Sequence, residues 1–329
     1  MSRCCSLVVR LAPLALTLLA ADASAGVIRV PGDYLHVQVA VNNAADGDLI
    51  LIAPGTYPDG LDVGAKSLAI VGDGGTASFV KVSVHDLAAD QVVVLRGIGA
   101  VGPFNEGLVV KDCAGRVVVE DGTFKGAKGR NAVGDPLWHP SGWPAVVVEQ
   151  SNSVDFARCT LTGGDGASIS NEDTQVGTGA GGSGLSATEA DVGLHESTAT
   201  GGTGGSTDDT VSTSGGGGGH GAQLAGGQLF AAGCSLTGKN GGFADCSFFA
   251  CGSGGSGGSG VSIGGSAVTT FWSQENDFDW GTGGSGGCCS AGGGSAGSNG
   301  APGKPIDADR SAGPMKSEST PGTAAIDSI

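Results

Sequence analysis

Aromatic side chains make up only 5% of this 329-residue chain, yet residues 126–144 hold two of its four tryptophans, Trp138 and Trp143, beside Lys128, Arg130 and His139. An exposed indole stacks on the apolar face of a sugar ring while neighbouring polar groups bind the hydroxyls, so these five residues form a candidate carbohydrate site. The same rings could instead pin the segment to the flank of the protein, and the sequence leaves both readings open. His139 belongs to the one side-chain type that titrates near neutral pH, but a single histidine in a loop is ordinarily just solvated.

A second group is Glu275, Asp277 and Asp279. On a strand, alternate residues share a face, so the three carboxylates would line up on one side with Phe278 and Trp280 on the other. Such oxygens suit a hard divalent ion, which makes calcium the candidate metal, and a solvated acidic face is the plain alternative. No other cofactor is implied.

The elements that must position these groups repeat. Stretches beginning at Gly107, Ala145, Gly184, Gly221 and Gly260 start 38, 39, 37 and 39 residues apart. A second landmark closes at Gly126, Gly163, Gly201 and Gly238, with steps of 37, 38 and 37 residues. Two landmarks held in constant phase mark a solenoid, in which one coil buries its apolar face only when its neighbours stack on it. Runs of about four β-branched and small residues make each coil a set of short strands, and no helical apolar spacing follows Asp46. The expected ladder places Val109, Val147, Leu185, Ala222 and Val261, or their immediate neighbours, on one inward face. The Gly-Ser tracts at 181–184, 201–205, 215–219 and 252–260 fall between one coil's closing glycine and the next coil's start. They read as loops leaving one edge of the stack.

Arg3 and Arg10 precede an apolar run at 11–20, and Ala23-Ser24-Ala25 offers a small-x-small cleavage pattern, so residues 1–25 read as a secretory signal peptide too short to span a bilayer. The expected location is extracellular or periplasmic, with no membrane span. Cleavage leaves seven of nine cysteines, an odd number that cannot all pair within one chain. Cys159 and Cys234 stand two coils apart with Ser197 between them, roughly 10 Å at the stacking distance of strands, too far for a disulfide. They read as small core residues. Cys246 with Cys251 could close a small loop, and Cys288-Cys289 could find a partner elsewhere. Residues 290–329, poor in apolar side chains, read as a disordered low-complexity tail after a stack at 26–289.

Residues 27–74 carry a resemblance. Val27 to Tyr34, the amphipathic Val37 to Asp48, the strand and turn Leu49 to Tyr57 with its Pro54-Gly55-Thr56-Tyr57, and Leu68 to Gly74 ending in Val71-Gly72-Asp73-Gly74 resemble the opening of right-handed parallel β-helix proteins of the pectin lyase-like superfamily. The resemblance implies an all-β fold, a single-stranded right-handed parallel β-helix whose open end is covered by a capping helix. Independently, Val37, Ala40, Val41 and Ala44 share one helical face that can cover an exposed sheet edge, with Asp33 as expected N-cap and Gly47 as expected stop.

The superfamily holds lyases, hydrolases, esterases, tailspikes and adhesins, so function has to come from residues. The esterase and polygalacturonase carboxylate pairs are missing, and Asp208-Asp209 lies in a Gly-Ser-Thr loop without a partner. Between Cys159 and Gly303 twelve acidic residues face the single base Lys239, a balance that repels anionic polymers and makes nucleic acid an improbable partner. A uronate-cleaving site would have to lie upstream among Arg96, Lys111, Arg116, Lys125, Lys128, Arg130 and Arg158. The leading expectation is a secreted, non-catalytic repeat protein for surface display or binding of an extracellular polysaccharide or cell-surface glycan. A pectate lyase-like polysaccharide lyase or hydrolase, and a subunit of an extracellular adhesive assembly, are the alternatives.

Overall fold

The computed structural model describes residues 25–130, 139–169, 178–207, 214–245, 252–265, 269–287 and 298–308. The expected signal peptide, Trp138, Asp208, Asp209, Cys246, Cys251, Cys288 and Cys289 lie outside them, apart from the signal's last residue. The chain forms a parallel β-solenoid in which every strand pairing runs parallel.

Each coil visits three faces. The first carries Leu108–Lys111 and Val146–Glu149, the second Arg116–Glu120 and Ser153–Ala157, and the third Thr123–Lys125 and Thr160–Thr162. In two coils the first and second faces are one continuous strand, Leu185–His195 and Ala222–Ala232, which fuses those faces into a single 15-stranded sheet. The expected inward ladder is present as Leu108, Val146, Leu185, Ala222 and Val261, all buried and in register. Val109 and Val147 point outward, so the ladder runs through their immediate neighbours. Period-two alternation explains this: Leu108 and Val110 face in, and their polar partner Lys111 faces out.

Corners are taken by residues in the left-handed region. Asp112, Gln150 and Glu189 turn one edge, and Asp121, Arg158, Glu196 and Glu275 the other, all with φ between 47° and 53°. Just past the second edge Cys159, Ser197 and Cys234 stack as buried neighbours, and the cysteines are free thiols. The Ser197 hydroxyl accepts from Cys159 N at 3.0 Å and the Asn276 side-chain oxygen from Cys234 N at 2.8 Å, so each corner N–H is satisfied by the next coil. Burial pushes the Cys159 thiol up to about 11.

The helix Val37–Asn43 covers the first end, with Val37, Ala40 and Val41 buried. Its N-cap is His36, without a side-chain cap bond. Asp33 instead accepts from Arg29 N at 2.8 Å in the preceding turn, and the helix stops before Gly47. Gln38 pairs its amide with both backbone groups of Asp62, at 2.8 and 2.9 Å, and so blunts an edge strand in the way another chain would.

Corresponding residues on the first face are 21 residues apart from Leu61 to Val82 and 26 from Val82 to Leu108, against 38 from Leu108 to Val146. The added length goes into the glycine tracts, which are ordered. Each long coil sends out one extended leg after the third face and returns by a second leg to the first. Within the outgoing layer every third N–H bonds to the next coil: Gly163 to Thr200 O, Gly166 to Thr203 O, Gly201 to Thr237 O and Gly204 to Asn240 O, at 2.8–2.9 Å. The following residue bonds across to the returning layer, as Gly202 N to Gly182 O and Gly242 N to Gly216 O, and the returning Gly219 N bonds back to Gly202 O, all at 2.8 Å. The third points outward. A three-residue repeat without internal bonds is polyproline II geometry, and two layers of such legs make a slab beside the strands. The loops expected from composition are therefore a second, hydrogen-bonded core. A Cβ on Gly202 would lie 1.9 Å from Gly164 O, which is why glycine recurs there.

The stack also runs further than residue 289. Ile306–Ala308 pairs with Val261–Ile263, and Gly300 and Gly303 bond into the slab, so this part of the expected tail forms a coil. Its few apolar residues suffice because slab legs need none.

Candidate functional site

The outward side of the second face holds a depression of about 280 Å³. Strand register builds it. Asp155, Gly193, Phe230 and Trp272 stand in one column, one residue per coil, in the order of the stack. To one side Asp191 pairs with Gln228, and to the other Ala157 pairs with His195 and His195 with Ala232. Gly193, bare among larger side chains, leaves the hollow. An added Cβ on Gly193 would lie 2.5 Å from Asp155 Oδ1 and 3.1 Å from His195 Nε2, so both groups lean over the bare backbone.

Its polar groups come pre-arranged. Arg116 grips Asp155 Oδ2 through Nη2 at 2.8 Å and Nε at 3.0 Å, which leaves Oδ1 turned to the hollow. Gln228 Nε2 reaches Asp191 Oδ2 at 3.4 Å. The rings form the opposite wall: Phe230 is 38% exposed, Trp272 is half-buried, and the His195 imidazole tilts against Phe230 at 5.5 Å. Aromatic surface opposite hydrogen-bonding groups is the arrangement that accommodates a ring with one apolar face and an equatorial fringe of hydroxyls.

The residues singled out from the sequence are distributed differently. His139 and Trp143 do come together, their rings stacked at 4.3 Å and 23°, with His139 Nδ1 donating to Ser141 O at 2.8 Å. Both are half-buried at the start of the slab, and Trp143 N donates to Ala127 O at 2.9 Å. Arg130 pairs through its backbone with His139 and sets its guanidinium 5.0 Å from the centre of the Phe104 ring, while Lys128 is exposed on the outgoing leg. Asp277 and Asp279 share the exposed side of their strand, but Glu275 sits at the left-handed corner before it, so the three carboxylates do not form one row. Phe278 packs inward on Phe271, whereas Trp280 lies past the strand end and is 44% exposed. Among the described residues no three His, Cys, Asp or Glu are grouped to hold a metal ion.

Of the upstream bases, Arg96, Lys111, Arg116 and Arg158 are engaged between coils. Lys111 pairs with Glu149 at 3.4 Å, and Asp121 takes both Arg158 at 2.7 Å and Arg96 at 3.2 Å. The Arg158 hydrogen bond holds the Asp121 carboxyl below its ordinary range. No helix among the described residues is long and apolar enough to cross a membrane.

No family model and no curated protein matches the chain. A solved structure, Geobacillus virus E2 ORF18, aligns at 12% identity and a TM-score of 0.24 over 86% of this chain, which spans 56% of the viral one; at that score the alignment carries no weight for fold or function.

Proposed function

We propose that the protein is a secreted, non-catalytic β-solenoid of the pectin lyase-like superfamily that binds an extracellular glycan in the depression over Gly193. One observation carries this reading: two aromatic rings, Phe230 and Trp272, stand on adjacent coils of a rigid sheet and face the hydrogen-bonding groups of Asp155 and Asp191 across a hollow. Strands position rings with little entropy left to lose on binding, which is what a shallow sugar site needs. The opening at residues 27–74 supports the superfamily, and the apolar run before Ala25 supports export.

Affinity electrophoresis on a panel of soluble polysaccharides tests the reading. Phe230→Ala and Trp272→Ala should each weaken retention roughly fivefold, the equivalent of about 1 kcal/mol per stacked ring. Trp143→Ala, whose ring already stacks on His139, should lower the melting temperature and leave retention unchanged. Unchanged retention in both face variants would sink the assignment.

A further inference from the structure

We infer that the glycan taken by this depression carries free amino groups, that is, a polymer of 2-amino-2-deoxy sugars in the unacetylated form. The inference rests on the glycan reading above and adds the charge of the ligand. Asp155 has its cation, because Arg116 occupies Oδ2. Asp191 does not: its side chain meets only the neutral amide of Gln228, and no Lys or Arg among the described residues pairs with it. Lys239 is the single Lys or Arg between Cys159 and Gly303, and it does not line the depression.

An uncompensated carboxylate beside an aromatic wall selects among sugars. A uronate or sulfated chain is repelled. A neutral or N-acetylated chain stacks on the rings but leaves Asp191 without a charged partner. An ammonium group offers three donors to Asp191 and the free Oδ1 of Asp155 and gains from the π face of Trp272. Ring stacking and charge pairing are then satisfied by one residue of the ligand.

Isothermal titration of the mature chain with oligomers of equal length tests this: glucosamine, N-acetylglucosamine, galacturonate and lysine. The glucosamine oligomer should bind tightest and the galacturonate oligomer not at all. Asp191→Asn should weaken glucosamine binding about tenfold, the worth of one charge-assisted hydrogen bond, and leave N-acetylglucosamine binding unchanged. Trp272→Ala should weaken both sugars. If the acetylated oligomer binds as tightly as the free amine, or Asp191→Asn changes nothing, the amino-sugar inference fails while glycan binding stands. If the lysine oligomer binds as well as glucosamine and Trp272→Ala is silent, attraction is charge alone and both readings fall.

Discussion

Two interiors lie side by side in this molecule, and they are built on opposite rules. Between the three strand faces the centre is side chain: Phe124, Phe156, Leu161 and Ile70 are fully buried and stack coil on coil. In the slab the centre is backbone. Gly202 N reaches Gly182 O at 2.8 Å, and the layers approach so closely that a methyl group on Gly202, Gly219 or Gly182 would lie about 2 Å from a carbonyl oxygen. One core gains stability from apolar area removed from water, at roughly 25 cal/mol per Å². The other gains about 1 kcal/mol net per hydrogen bond and orders the residue type with the most freedom to lose. Both are held to the same repeat because every outgoing leg begins in a strand and every returning leg ends in one, as Thr162 passes to Gly163 and Gly184 to Leu185. The slab depends on the strands for its register, and the strands do not depend on the slab: the coils at Leu61 and Val82 stack without one.

The largest effect should follow from emptying the side-chain core. Phe156→Ala removes a fully buried ring and should cost about 3–5 kcal/mol in urea unfolding. Because the slab takes its register from the strands, amides of both cores should lose protection together in hydrogen exchange. Loss confined to the strands would show the slab to be independent.

The reverse experiment adds one carbon. Gly202→Ala places a Cβ 1.9 Å from Gly164 O, backbone against backbone, and should cost about 3 kcal/mol, at the upper end of overpacking. Gly217→Ala points outward, its nearest neighbour being the Ser256 hydroxyl at 3.4 Å, and should lie within about 0.5 kcal/mol of the wild type. Equal cost at both positions would mean that the legs are not packed backbone against backbone.

The same contrast governs what is legible in the sequence. The strand core announces itself, since Val, Ile and Leu at period two and a fixed step of coils place Leu185, Ala222 and Val261 on one ladder from residue types and spacing alone. Cys159 and Cys234 are legible as core residues for the same reason. The slab is not, because a glycine carries no side-chain pattern; what it does carry is spacing, with Gly163 and Gly166, Gly201 and Gly204, and Gly238 and Gly241 three apart in coil after coil. That period is the signature of polyproline II legs and distinguishes them from a linker. The depression is hidden differently. Asp155, Gly193, Phe230 and Trp272 are one coil apart, so they share a face only across coils, and alternation along any single strand does not bring them together. Glu275 misleads because alternation does not survive the corner there, which the chain turns at positive φ.

The smallest effect separates the two interiors by pH. His220 stands half-buried at the end of a returning leg, and its Nδ1 accepts from Ser259 N of the next coil at 3.0 Å. Only the neutral imidazole can accept there, and burial holds the His220 pKa below its ordinary 6.5, with Asp307 opposing weakly. A depressed histidine means the unfolded chain binds the proton more readily than the folded one, so this contact's stability is intact above about pH 6.5 and declines as the pH falls below it. The fully buried side chains of the strand core are apolar, hydroxyl or thiol, and burial pushes the thiols up, so none of these titrates in that range. Hydrogen exchange, corrected for intrinsic rates, should therefore show the amide of Ser259 losing protection between pH 6.5 and 5 while Leu161 and Val192 keep theirs. His220→Gln, which retains an acceptor without a titrating ring, should flatten that dependence. If Ser259 and Leu161 respond to acid alike, the two cores open as one unit and the contrast between them is structural only.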